Sequence, residues 1–148
     1  MPIEFLTEEN LAEGVAIAEQ SHRESIWKDY PFDREIIERN LRTMIGNKRW
    51  FVAMYRKEKI VGFFCAHLGQ FLFSDRPFGI ESGVYVAPEY RASHVAQVLY
   101  DEFAVWCELN KAEPFVEVYY GENNESAYAF FKRQNLVECG RVFKTRTV

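Results

Sequence analysis

Val84-Tyr85-Val86-Ala87-Pro88-Glu89-Tyr90-Arg91-Ala92-Ser93-His94-Val95-Ala96 reads as an apolar strand that stops at a proline, crosses a short basic loop and opens directly into a helix. The helix is amphipathic, with Val95, Ala96, Leu99, Phe103 and Trp106 along one stripe. A helix start carries N–H groups without intrahelical acceptors and the positive end of the dipole, so this junction is built to receive an anion such as a phosphate. Ala92, Ser93 and Ala96 are small enough to let it approach, Arg91 supplies charge and Ser93 is suited to cap the helix. Taken alone, the same window also fits an ordinary strand-to-helix turn.

Outward from this junction the chain alternates between sheet and helix signals. Ile3 to Leu6 is a short strand candidate, and Thr7 before Glu8-Glu9 reads as a cap for a helix with Leu11, Val15 and Ala18 on one face. Asp33 is the expected cap of a second helix that carries Ile36, Ile37, Leu41, Met44 and Ile45 and stops at Gly46-Asn47. Trp50 to Tyr55 and Ile60 to Leu68 form a hairpin around Arg56-Lys57-Glu58-Lys59, and Gly79 to Val86 is the next strand. Pro114 to Tyr120 is predicted as a strand, Glu125 to Arg133 as a helix, and Val137 to Thr147 as a strand closing the sheet. This order predicts an α/β fold with a mixed central sheet flanked by helices. Short connections require antiparallel pairs, and the crossover through the long helix allows a parallel one.

Composition narrows the class. A chain of 148 residues is read as one domain, residues 1–148, able to bury roughly two-thirds of its extended surface without staples. The net charge of −4 and scattered basic residues argue against nucleic-acid binding, which needs a basic stripe. Cys65, Cys107 and Cys139 are odd in number and far apart, with no ligand-spaced histidine, so neither a disulfide framework nor a metal site is expected. A reducing, cytoplasmic setting is the default. No apolar run approaches the roughly 20 residues of a membrane span, so no membrane association is expected.

The Val86-Ala87-Pro88 exit, Arg91 and Ala96 resemble the GNAT superfamily of N-acetyltransferases, whose strand ending in V-x-P leads into Gln/Arg-x-x-Gly-x-Gly/Ala and a long helix. His94 stands where that pattern has its first glycine. Asn124-Glu125-Ser126-Ala127-Tyr128-Ala129-Phe130-Phe131, running on to Asn135-Leu136, resembles the family's Asn-x-x-Ala-x-x-Leu-Tyr-x-x-x-Gly-Phe. Phe131 replaces the tyrosine and Asn135-Leu136 the Gly-Phe.

The resemblance implies that the fourth and fifth strands splay into a cleft for acetyl coenzyme A. Tyr85 and Val86 would offer main chain to its pantetheine arm, and Arg91, Ala92, Ser93, His94, Val95 and Ala96 would take its pyrophosphate. Asn124 and Phe131 would complete the cofactor site. His94 would crowd the phosphate, point outward or, protonated, add charge. Glu81, on the fourth strand, is the expected general base, since burial beside aromatic residues raises a glutamate's pKa toward working pH. With no hydroxyl on Phe131, Tyr128 is the remaining candidate acid, provided its helix turns that face to the cleft. In the family the segment between the first two helices shapes the acceptor pocket, so Glu24 or Asp29 would hold a cationic acceptor and Trp27 or Tyr30 would wall its stem.

The implied activity is acetyl transfer from acetyl coenzyme A to a small or protein amine by direct attack. The alternative is a GNAT-fold binding or structural module with little turnover. Phe71-Leu72-Phe73 suits an interface or the lip of the cleft, which admits a homodimer.

Overall fold

A computed structural model describes residues 2–119 and 124–146 of the chain. Its elements are strand β1 (Ile3–Phe5), helices α1 (Leu11–Glu24) and α2 (Arg34–Met44), strands β2 (Trp50–Arg56), β3 (Ile60–Gln70) and β4 (Pro77–Val86), helix α3 (Val95–Leu109), strand β5 (Glu113–Phe115) and helix α4 (Asn124–Lys132). The strands form one sheet in chain order, antiparallel from β1 to β4 and parallel between β4 and β5. The crossover from β4 to β5 runs through α3, as a parallel pair requires.

Local chemistry sets most boundaries. The Asp33 carboxylate accepts from the N–H groups of Glu35 and Ile36, at 2.9 and 3.1 Å, and caps α2, a contact worth about 1 kcal/mol. Gly46, with φ +69°, turns the chain after α2. The first helix starts later than the Thr7 cap predicts. Its N-cap is Asn10, a buried residue whose side chain accepts from the Thr7 N–H at 2.8 Å and donates to the Phe5 carbonyl at 3.0 Å. The side chain of Asn10 therefore ties β1 to α1, which a cap search along one helix does not detect.

Helix α3 closes one face of the sheet. Phe103 stacks on Phe64 with ring centroids 4.4 Å apart and lies 5.9 Å from Phe51, and Phe64, Phe103 and Leu99 are essentially fully buried. Gly79 marks how closely α3 approaches, since a β-carbon there would run into the sulfur of Cys107. Helices α1 and α2 cover the opposite face, and the α1 glycine Gly14 lies over Met54, Leu6 and Leu41.

Two predicted strands are corrected. β5 is paired over Glu113–Phe115 and Val116 to Tyr119 form no strand; Tyr120 lies outside the described residues. Val137 to Arg146 forms no strand, and Val137 and Phe143 are largely exposed; Thr147 lies outside the described residues. Alternation shows which side chains would share a face, but a strand also needs an edge to pair with. Asn135 has φ 60° just after α4, so it adopts the left-handed turn that the family glycine would supply. Asparagine tolerates that region better than most residues.

Candidate active site

The site begins where β4 loses one of its two neighbours. β5 pairs with Phe78, Gly79 and Ile80 only, whereas β3 stays paired along β4 to Val86. At the parting point the β3–β4 register slips, with Ala66 opposite Glu81 and Cys65 opposite Gly83, so Ser82 is the extra residue of a bulge. A bulge bends its strand and re-aims the side chains beside it. Glu117 still reaches across, its N–H donating to Glu81 Oε2 at 3.3 Å. Beyond it the two segments enclose a cleft of about 920 Å³ that runs from the start of α3 and the inner face of α4 to the space beneath α1 and α2.

Glu81 lines this cleft and is 9% exposed. Burial pushes its pKa up to about 7, with the Glu117 N–H opposing the shift and the Glu117 charge adding to it. A carboxyl with that affinity exchanges a proton readily near neutrality, as a general base must. Tyr119 also faces the cleft and donates to the Glu117 carboxylate, a bond that, with burial, raises the phenol to about 12. Trp27 packs edge-on against Tyr119 and Tyr30, each at 5.8 Å. Cys65 lines the cleft too, but burial, with the charge of Glu81, lifts its thiol to about 12. It stays protonated and is a poor nucleophile.

At the other end, Arg91 lies against the β4 edge. Its Nε donates to the Val86 carbonyl at 2.8 Å, its Nη2 meets Glu24 Oε1 at 2.8 Å, and its guanidinium sits 5.4 Å from the Tyr85 ring centre. Tyr85 donates to Glu24 and receives a bond from Gln20 at 3.0 Å. Burial of Glu24 raises its pKa, but the Tyr85 hydroxyl and Arg91 outweigh that and hold it below the usual carboxylate range. Glu24 thus binds Arg91 and Tyr85, where sequence reasoning assigns it to an acceptor amine. The Val86 carbonyl is an acceptor that β5 does not use, and a ligand amide would compete with Arg91 for it.

The loop before α3 is arranged differently from the sequence expectation. His94, not Ser93, occupies the N-cap position, yet Ser93 Oγ accepts from the Val95 N–H at 3.3 Å while donating to the Tyr90 carbonyl. The His94 ring turns back to Tyr55, Nε2 to hydroxyl 2.9 Å, while the residue stays exposed. The first backbone bond within α3 runs from Val98 to His94, so the N–H groups of Ala96 and Gln97 precede the ladder. Ala96 lines the cleft; Ala92 and His94 are exposed beside it, and Val95 is fully buried, leaving only its backbone for a ligand.

Of the predicted site residues, the fold brings Glu81, Tyr85, Val86, Arg91, Ala96, Phe131 and Trp27 to one cleft. Tyr128 is turned away, with its hydroxyl 3.2 Å from Glu138, because Ala127 and Phe131 occupy the cleft side of α4. Tyr30 is 41% exposed and meets Trp27 edge-on outside the lining. The side chain of Asn124 lies outside the described residues. Phe131 is buried against Tyr100 and Phe130. Glu117 and Gln20 escaped sequence reasoning. A lone acid inside the apolar run Phe115-Val116-Glu117-Val118 was a usable signal; for Gln20 there was none.

Among the described residues no group of His, Cys, Asp and Glu is arranged to hold a metal ion, and no helix is long and apolar enough to cross a membrane. Residues 16–135 match the model of the acetyltransferase (GNAT) family. No curated protein matches the chain significantly in sequence. Among solved structures, the aminoglycoside antibiotic 6'-N-acetyltransferase AAC(6')-Ih from Acinetobacter baumannii superimposes with TM-score 0.77 at 16% identity, covering 99% of this chain and 97% of that one. AAC(6')-Iy in complex with a bisubstrate analogue, CoA-S-monomethyl-acetylneamine, gives TM-score 0.76 at 16% identity, with coverages of 99% and 97%. Glucosamine-6-phosphate N-acetyltransferase from Arabidopsis thaliana gives 0.74 at 13% identity, with coverages of 97% and 95%. At these identities the likeness is one of fold.

Proposed function

The chain belongs to the acetyltransferase (GNAT) family, and from that premise we propose that it acts as a single domain that moves an acetyl group from acetyl coenzyme A to the nitrogen of a small amine by direct attack. The observation that carries this reading is the fork between β4 and β5, with the buried carboxyl of Glu81 at its mouth. The coenzyme supplies the activated acyl carbon as a thioester. The chain's own groups do the rest. The β4 edge around Val86 offers hydrogen bonds to an extended amide-bearing arm, and the first turn of α3, with Arg91, attracts phosphate. Small Ala96 and Ala127 in the lining leave width for such an arm. Glu81 takes the proton that the amine loses as it attacks. Cys65, held as a thiol, has no part as an acyl carrier, which supports direct attack.

A module that binds acyl coenzyme A without turnover is the second reading, favoured by Phe131, which has no proton to give the departing thiolate. A thiol's ordinary pKa, near 8.5, makes it a tolerable leaving group without that help. Calorimetric titration with acetyl coenzyme A, followed by mass spectrometry of a mixture of primary amines incubated with both, tests the pair. Binding with acetylated product is expected. Binding without product supports the module, and absence of binding overturns both.

A further inference from the structure

The cleft has a second arm that neither the thioester nor its phosphates would fill. Beneath α1 and α2 it is lined by Ile17, Phe32, Ile37, Met44, Val52 and Phe63. Five of these, all but Ile17, are only half-buried, so packing of the helices onto the sheet leaves apolar surface facing the cleft. Carboxylates are confined to the fork: among the described lining residues only Glu81 and Glu117 carry one, and the cationic Arg91 and Arg133 belong to the α3 and α4 end. Glu24, whose sequence position suggests a cation site, is absent from the lining and already paired with Arg91. His22, edge-on to Phe32, and the hydroxyls of Ser21 and Ser25 also line the cleft, so beyond the fork the arm offers an entering molecule dispersion and desolvation and no carboxylate to meet a cation.

We infer that the acceptor is a primary amine with an apolar body, an alkyl or arylalkyl amine, whose nitrogen meets Glu81 and whose hydrocarbon lies beneath α1 and α2. This rests on the reading of the site as an acetyltransferase cleft and names its substrate class. A polycationic amino sugar would place its further ammonium groups against Ile37, Val52 and Phe63 with no partner, which is unfavourable. A longer acyl group on the coenzyme is the other source of hydrocarbon for the same arm.

Straight-chain amines from butyl to octyl separate these cases, because they share one amine chemistry and differ only in methylenes. The affinity of each for the intact protein in the presence of free coenzyme A, measured by calorimetry, should rise about fourfold per methylene, and kcat/KM with acetyl coenzyme A should follow. Ile37→Asp should flatten the series, and should that variant not fold, Ile37→Trp, which fills the arm, should end the gain at shorter chains. Equal affinity along the series overturns the inference. So does a gain along acetyl- to octanoyl-coenzyme A in place of the amines, or neamine acetylated more efficiently than octylamine. Failure of the transferase reading shows separately, as loss of coenzyme binding or of any acetylated product, while the calorimetric slope still decides the acceptor.

Discussion

The two edges of β4 have opposite fates. Along one, β3 pairs with it from Pro77 to Val86; along the other, β5 stays only as far as Ile80. Under α3 the first edge belongs to a closed region, where Phe103 stacks on Phe64, Leu99 lies over Gly62 and water is excluded. The second opens on a cleft with a buried carboxyl, a backbone acceptor and a basic side chain within reach. One strand thus serves as scaffold on its paired side and, in the proposed function, as binding surface where pairing stops. Regular structure satisfies backbone groups internally, so a fold offers them to a ligand only where a ladder ends.

The comparison predicts losses of different kinds on the two sides. Glu81→Gln, on the open side, keeps size and should lower the acetylation rate by about 10²–10⁴-fold at neutral pH with coenzyme affinity retained. The wild-type rate should climb as pH rises through about 7, where Glu81 ionises, and the variant should lack that limb. Stability should move the other way. Because the folded pKa of Glu81 is raised, its protonated form favours the native state, and that stability is lost as pH rises through about 7. Glu81→Gln should therefore be more resistant to urea than wild type at pH 8 and indistinguishable from it at pH 4; equal resistance at both would place Glu81 in water.

Phe103→Ala, on the closed side, should cost about 3–5 kcal/mol of stability through the cavity it leaves, read as a lower urea midpoint. A loss below about 1 kcal/mol would mean that α3 packs loosely on the sheet.

Arg91→Ala should weaken acetyl coenzyme A binding by about 1.5–3 kcal/mol, less at high salt. Unchanged affinity in a folded variant would leave Arg91 as no more than the partner of Glu24. Tyr128→Phe removes an exposed bond to Glu138 and should shift neither turnover nor stability by more than about 0.5 kcal/mol. A hundredfold rate loss would return Tyr128 to the cleft as the missing acid.

The fold was more legible than the site because its signals are local. Asp33, Gly46, the charged hairpin turn and the Pro88 stop each act on their immediate neighbours, and each is where the sequence places it. Glu81 was legible only through the family resemblance, which places an acid on the fourth strand; the fold sets it in the cleft lining. The contacts that Glu24 and His94 make were not legible, for one reason. Their partners, Arg91 and Tyr55, lie 67 and 39 residues away, and only the packed fold brings them together. The early end of β5 is likewise decided by what β4 does at its bulge, which alternation within residues 114–120 does not encode.

Amide hydrogen exchange with and without acetyl coenzyme A tests most directly whether the unpaired edge is the seat of function. Protection should appear in peptides covering residues 81–86 and the first turn of α3, with β2 unchanged, because only the open side gains hydrogen bonds and loses water. Saturating acetyl coenzyme A that binds yet leaves residues 81–86 exchanging as before would contradict the account.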